Sequence, residues 1–376
     1  MIYLDNASTT KPYKEVVDTY NKYLISNFFN PSSIYATSTN ILEEKIKLNI
    51  LKMLGLSDKK IVFLSSATEA NNLAIRGFLK GKKVKKGHII TTRIEHASIL
   101  NVFKELEEEG YSVTYLPVNE NHQIDLEVFQ KSLQNDTILV SIMAVNNETG
   151  SILNLKDIYK ICKDRKIIMH SDFAQGFLKT ENDLLKCCDM FTISSHKIHG
   201  LKSVAALVMN KNINMMPILA GGAQEYGIRS STVDVPLIAS FYKAIEMNFK
   251  DKNKKYPGIA EIFDYCVQKI KSIPYLILNT KEENTTKYIV NFSFKENIKA
   301  AIVLEYLSKK EIYVSTTSAC NSKGEKMSYV IYEIYKDESR AHNMLRLSFD
   351  ENNTKEEIDT VFNEIDNCVK GTLWKI

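Results

Sequence analysis

The stretch Met190-Phe191-Thr192-Ile193-Ser194-Ser195-His196-Lys197-Ile198-His199-Gly200, followed closely by Val204-Ala205-Ala206-Leu207-Val208-Met209, decides how this chain is read. Two apolar β-like runs flank a short polar turn, and the turn holds a lysine beside two serines and a histidine. Taken alone, such a lysine is more often an ordinary surface charge than a functional group. Its neighbours along the chain change that balance. From about residue 15 to about residue 245, short β-type runs alternate with amphipathic helical stretches. The clearest runs are 60–64, 88–92, 112–116, 137–142, 167–170 and the two around Lys197. Between them, 99–109 and 155–165 repeat apolar residues at helical spacing, Val102 with Leu106 and Ile158 with Ile161. Alternation of this kind specifies an α/β protein with a mostly parallel sheet between helices. Ligands in such sheets bind beyond the carboxyl ends of the strands, so the informative residues are those just after each run.

The remaining properties narrow the class. At 376 residues the chain has room for a large domain and a smaller companion. A formal charge of +4 implies neither a nucleic-acid nor a membrane partner. No apolar stretch approaches the roughly 20 residues of a membrane span, and no signal-peptide pattern follows Met1. The six cysteines are scattered and form no Cys-x-x-Cys pair. This argues for a reducing compartment, with the cytoplasm as default, and against a structural metal. Cys187 and Cys188 read as buried thiols. A shift to Lys, Asn, Asp, Pro and Gly over 250–258 reads as a boundary. Residues 15–250 then form the large domain, and residues 1–14 and 251–376 a smaller α+β domain.

The strand-end residues form a chemical set. After 60–64 comes Ser65-Ser66-Ala67-Thr68-Glu69, where Ser66 and Glu69 fit a capping box. A helix start offers unpaired N–H groups and the positive end of the dipole, which can hold a phosphate; it can equally be a capped helix and nothing more. His96 follows 88–92 and can stack on a flat ring or exchange protons near neutrality, or be a satisfied core group. Asn146-Asn147 follow 137–142 in a polar turn that most simply serves itself. Asp172 closes the next run, where a partly desolvated acid needs a positive partner such as a protonated pyridine nitrogen. With Lys197, these groups describe a pyridoxal 5'-phosphate site, in which the lysine bonds the aldehyde and the acid keeps the ring an electron sink.

At these residues the chain resembles the cysteine desulfurases of the NifS/IscS type, within the class V aminotransferases of fold type I. The resemblance runs through Leu4-Asp5-Asn6-Ala7-Ser8-Thr9-Thr10, Asn30-Pro31-Ser32-Ser33, Ala67-Thr68-Glu69, Glu95-His96, Asn146-Asn147-Glu148, Asp172 with Gln175, Ser194 to Lys197, Gly221-Gly222-Ala223-Gln224-Glu225, Arg229-Ser230-Ser231-Thr232 and Ser318-Ala319-Cys320. It implies Lys197 as the residue that bonds the cofactor, Asp172 at the pyridine nitrogen, His96 stacked on the ring, and Gln175 on the ring hydroxyl. It implies Ala67, Thr68, Ser194 and His196 as phosphate ligands, and Thr232 as a further one donated by the second subunit of a homodimer. Asn147 and Arg346 would engage cofactor and substrate, Arg346 as a fork for the L-cysteine carboxylate. Cys320 lies among small polar residues that suit an exposed loop, about 315–330, and would take the substrate sulfur as a persulfide. Lys197, Cys320 and His96 are thus the catalytic set. The sulfur would pass to an iron–sulfur scaffold or a tRNA-thiolation protein. A selenocysteine lyase, another class V enzyme and a non-catalytic scaffold are the alternatives. The chain departs from the family pattern at Ser66, Ala223 and Ser231, where glycine is usual, at His199, where tyrosine is usual, and at Asp350.

Overall fold

The computed structural model describes residues 1–295, 298–316 and 327–373. A two-residue strand, β1 (Ile2–Tyr3), precedes seven strands of one sheet: β2 (Lys59–Leu64), β3 (His88–Thr92), β4 (Ser112–Leu116), β5 (Thr137–Ser141), β6 (Ile168–Asp172), β7 (Met190–Ser194) and β8 (Ala205–Asn210). Their spatial order is β2-β8-β7-β6-β5-β3-β4. The pairs from β4 across to β7 are parallel, while β8 is antiparallel to both β2 and β7. The second run of the opening stretch is therefore the reversed strand of a mostly parallel sheet. Because β8 reverses twice, β2 runs with β7. The carboxyl ends of β2, β3, β5, β6 and β7 share one edge.

The strands are apolar on both faces because both faces are covered. Ile61, Phe63, Val140, Met169, Phe191 and Ile193 enter one core. Their neighbours Val62, Leu64, Leu139 and Met190 enter the other, as period-two alternation requires. The helix Ala97–Glu108 buries Ile99, Val102, Phe103 and Leu106, one stripe at helical spacing, on the Val62 face of the sheet.

A separate core surrounds a three-stranded antiparallel sheet of β9 (Leu276–Leu278), β10 (Ile289–Phe294) and β12 (Met344–Ser348), in the order β12-β10-β9. The short β11 (Ile312–Tyr313) pairs in parallel with β1, and Leu4 is buried in this second core. The compositional shift at 250–258 is not a chain break. A single helix, Val235–Ser272, runs through it, with Pro257 in its interior. Ile238, Phe241 and Ile245 bury in the large core, and Phe263, Cys266 and Ile270 in the second. Tertiary packing at both ends has overridden the poor local helix propensity of the middle.

Of the cysteines described, Cys162, Cys188, Cys266 and Cys368 are buried, whereas Cys187 is only half-buried, which corrects the reading of the Cys187–Cys188 pair. No helix among the described residues is long and apolar enough to cross a membrane.

Candidate active site

The shared strand edge opens into a cavity of about 240 Å³. Each strand supplies its wall through the turn that follows it. From β2 come Ser66, Ala67 and Thr68; from β3, His96 and Ser98; from β5, Met143, Val145 and Asn147; from β6, Asp172, Ala174 and Gln175; from β7, His196 and Lys197. Ser66 caps the helix at Ala67 by accepting from Glu69 N at 3.1 Å, and Glu69 reaches back to Ser65 N at 2.7 Å. His96 is itself an N-cap, with Nδ1 accepting from Ser98 N at 3.2 Å. Asp172, the last residue of β6, accepts from Ala174 N at 2.8 Å on one oxygen and Asn71 Nδ2 at 2.8 Å on the other.

The remaining wall comes from opposite ends of the chain. Lys197 Nζ donates to the carbonyl oxygens of Ala7 and Ser8 at 2.6 and 2.7 Å, and Gln175 Nε2 donates to Ala7 O at 2.7 Å. Arg346, on β12, lies almost wholly buried. Its Nη2 meets Asp5 Oδ1 at 2.8 Å and Ser8 Oγ at 2.9 Å, and its Nη1 donates to Asn147 O at 2.8 Å. The guanidinium thus already has protein partners at both ends of its fork, and only Nε is buried without one.

Burial dominates the electrostatics. It brings the Lys197 amine down to about 7, helped by the positive charges of Arg346 and Lys179. His196 is pushed down to about 4 by burial and by Lys197. Burial also lowers His96, against the pull of Asp172. Near neutral pH the cavity therefore holds a partly neutral amine and two neutral imidazoles.

Ala67, Thr68, His96, Asn147, Asp172, Gln175, His196, Lys197 and Arg346 come together as the sequence suggests. Two others do not. Ser194 is buried at the end of β7, outside the lining, because its backbone is still paired with Ala205. Thr232 is solvent-exposed and lies outside the lining. Cys320 falls outside the described residues. Five hydrogen-bonding contributors carried no role in the sequence reading: Asp5, Ala7, Ser8, Asn71 and Ser98. The polar run Asp5 to Thr10 was the available signal for the first three. Asn71 and Ser98 act through other side chains, which no linear pattern displays.

The family model described as Aminotransferase class-V matches residues 2–361. The chain belongs to the class V aminotransferase family. Among class V enzymes it lies with the cysteine desulfurases. It is 38% identical to the cysteine desulfurase IscS of Rickettsia typhi, over 100% of this chain and 94% of that protein. A solved structure of a NifS-like protein superposes with a TM-score of 0.90 at 30% identity, covering 98% of this chain and 99% of the other. A second, of SspA in complex with cysteine, gives a TM-score of 0.81 at 29% identity over 94% of this chain and 100% of the other. Class V enzymes depend on pyridoxal phosphate. The donor set here suits that group: a half-buried amine, a carboxylate at a strand end, and buried, unpartnered oxygens on the two lining amides, Asn147 and Gln175.

Proposed function

We propose that this chain is a cysteine desulfurase, which converts L-cysteine to L-alanine and leaves the sulfur as a persulfide on Cys320. One observation carries the reading: Lys197, Asp172 and His96 converge from three strand ends on a single cavity, with Arg346 in its wall. Bound in that cavity, pyridoxal 5'-phosphate would supply an electron sink joined to the substrate's α-carbon. Lys197 would hold its aldehyde, Asp172 would face the ring nitrogen, His96 would lie on the ring, and Gln175 would offer its unpartnered Oε1 to the ring hydroxyl. Ala67, Thr68 and His196 would bind the phosphate, with Ser194 supporting the turn and Thr232 reaching the site of a second subunit.

The chain's own residues then divide the work. Lys197, freed once the substrate amine takes its place and partly neutral near pH 7, takes the α-proton. Arg346 and Asn147 orient the substrate, the guanidinium exchanging Asp5 for the substrate carboxylate. The Cys320 thiolate attacks the substrate sulfur; the carbon–sulfur bond breaks and its electron pair stays on the β-carbon, which takes up a proton, and Lys197 returns the α-proton to complete alanine. His96 moves protons between thiols and solvent. The persulfide passes to an acceptor protein, an iron–sulfur scaffold or a tRNA-thiolation protein. A homodimer would cover the exposed apolar residues Ile25, Phe28, Ile34, Tyr35, Ile41 and Leu48, too many for one solvated stretch. We assign residues 15–250 to the cofactor domain, residues 1–14 and 251–376 to the second, and the protein to the cytoplasm, where its scattered thiols stay reduced.

The test is sulfide and alanine release from L-cysteine with added pyridoxal phosphate. Cys320→Ala is expected to lower both by roughly 100-fold, about 2.7 kcal/mol of barrier, with cofactor absorbance unchanged. Sulfide release at the wild-type rate from that variant would end the persulfide reading.

A further inference from the structure

One buried side chain beside the cavity has no part in the chemistry above. Asn71 is fully buried in the helix Ala67–Asn72 and does not line the cavity. Its Nδ2 donates to Asp172 Oδ2 at 2.8 Å and to Ser98 Oγ at 2.9 Å, while its Oδ1 is buried without a partner. Turning the amide over would set Oδ1 against a carboxylate oxygen and remove both donors, so the orientation is fixed. The Ser98 oxygen, accepting from Asn71, is left to direct its own proton elsewhere. His96 Nδ1 lies 2.8 Å from that oxygen and also faces Ser98 N at 3.2 Å. A ring nitrogen that accepts from a backbone N–H is unprotonated in the neutral imidazole, so the proton resides on Nε2. Nε2 has no partner among the described residues, and His96 lines the cavity.

We propose that Asn71 is a positioning residue that ties Asp172 to Ser98 and thereby commits His96 to the Nε2–H tautomer. His96 then meets the contents of the cavity with a ring N–H, as a proton donor before it is ever an acceptor. One amide sets two groups at once, since its hydrogens hold the carboxylate and the imidazole in a fixed relation. What the N–H meets rests on the function proposed above. The tautomer does not, because it is a property of the protein without cofactor.

The experiment is nitrogen-15 NMR of the full-length, cofactor-free chain with labelled histidine. At pH 8 a histidine of ordinary pKa, near 6.5, is neutral. The His96 signals are those lost in His96→Gln. Wild type is expected to show His96 in the Nε2–H form. Asn71→Leu, of similar volume but without donors, is expected to shift the tautomer ratio toward Nδ1–H by about tenfold, the worth of one net hydrogen bond. Ser98→Ala keeps only the backbone donor and is expected to shift it the same way; it carries the test if Asn71→Leu does not fold. A wild-type proton on Nδ1, a folded Asn71→Leu with the wild-type tautomer ratio, or His96 ring shifts in Ser98→Ala identical to wild type, overturns the proposal. Failure of cysteine desulfuration with this tautomer intact would count against the proposed function alone.

Discussion

Lys197 Nζ and the Ala7 carbonyl oxygen stand 2.6 Å apart, joining positions 190 residues apart in sequence. The N-terminal turn thus closes over the amine and shields it from much of the water, and burial is the main reason its pKa falls to about 7 from 10.5. Covalent capture of an aldehyde needs the neutral amine. Incorporation of pyridoxal phosphate into the cofactor-free protein should therefore accelerate as pH rises from 6 to 8 and level off above that, as followed by absorbance. An unperturbed lysine would still be accelerating at pH 10. The linkage has a definite sign. The folded protein binds fewer protons than the unfolded chain between about 7 and 10.5, so this lysine makes stability rise with pH across that window.

Arg229 Nε pairs with Glu69 Oε1 at 2.8 Å, and Glu69 also accepts from Ser65 N and Oγ at 2.7 and 2.6 Å. This fastens the 220–232 segment to the helix start that walls the cavity. Burial alone would raise the Glu69 carboxyl, but the hydrogen bonds from Arg229 and Ser65 outweigh it and hold the pKa below 4.5. Arg229→Ala should cost about 2 kcal/mol in urea unfolding at pH 7. A carboxyl depressed in the folded state contributes above its unfolded pKa and loses that contribution as pH falls. The gap between wild type and variant should therefore narrow only below about pH 4.5. In a cycle with Glu69→Gln the two losses should fall short of additivity.

Legibility in the sequence followed the range of the forces involved. The strands that build the sheet appear in the sequence as apolar runs within two residues of their observed ends, because strands buried on both faces must be apolar throughout. Asp172, His96 and Lys197 were legible for the same reason, as polar residues at the ends of those runs. The partners contributed by Asp5, Ala7 and Ser8 were not, since their relation to Lys197 and Arg346 depends on how the two chain ends close over the sheet. The antiparallel direction of β8 was equally invisible, because an apolar run carries no direction. Ser194, a phosphate ligand by the resemblance, forms the last rung of the β7–β8 ladder at the edge of the site.

Ala223 and Ser231, where the family pattern has glycine, adopt φ of 60° and 139°. These are left-handed values that a Cβ disfavours by roughly 1–2 kcal/mol. Glycine would relieve this, offset by about 0.4–1 kcal/mol from the greater freedom of the unfolded chain. Ala223→Gly should stabilise by about 0.5–1 kcal/mol in denaturant unfolding. Ser231→Gly should gain more, because its φ lies further from the left-handed helical minimum that alanine and serine can occupy. Both variants should keep the cofactor absorbance of wild type.

Pro257 lies inside the 38-residue helix Val235–Ser272, between the part that packs in the large core and the part that packs in the second. It offers no N–H to the preceding turn, and its ring crowds the carbonyl four residues back. In a helix interior this costs about 3 kcal/mol relative to alanine. Roughly 0.4–1 kcal/mol of that is returned because proline also restricts the unfolded chain. Pro257→Ala should therefore raise stability by about 2 kcal/mol and increase the helical circular dichroism signal slightly. A linker at 250–258 would respond in the opposite way, since removing a proline from an irregular segment only loosens it. A loss of stability in this variant would mean that the helix is interrupted there and that the two cores are joined by a flexible segment.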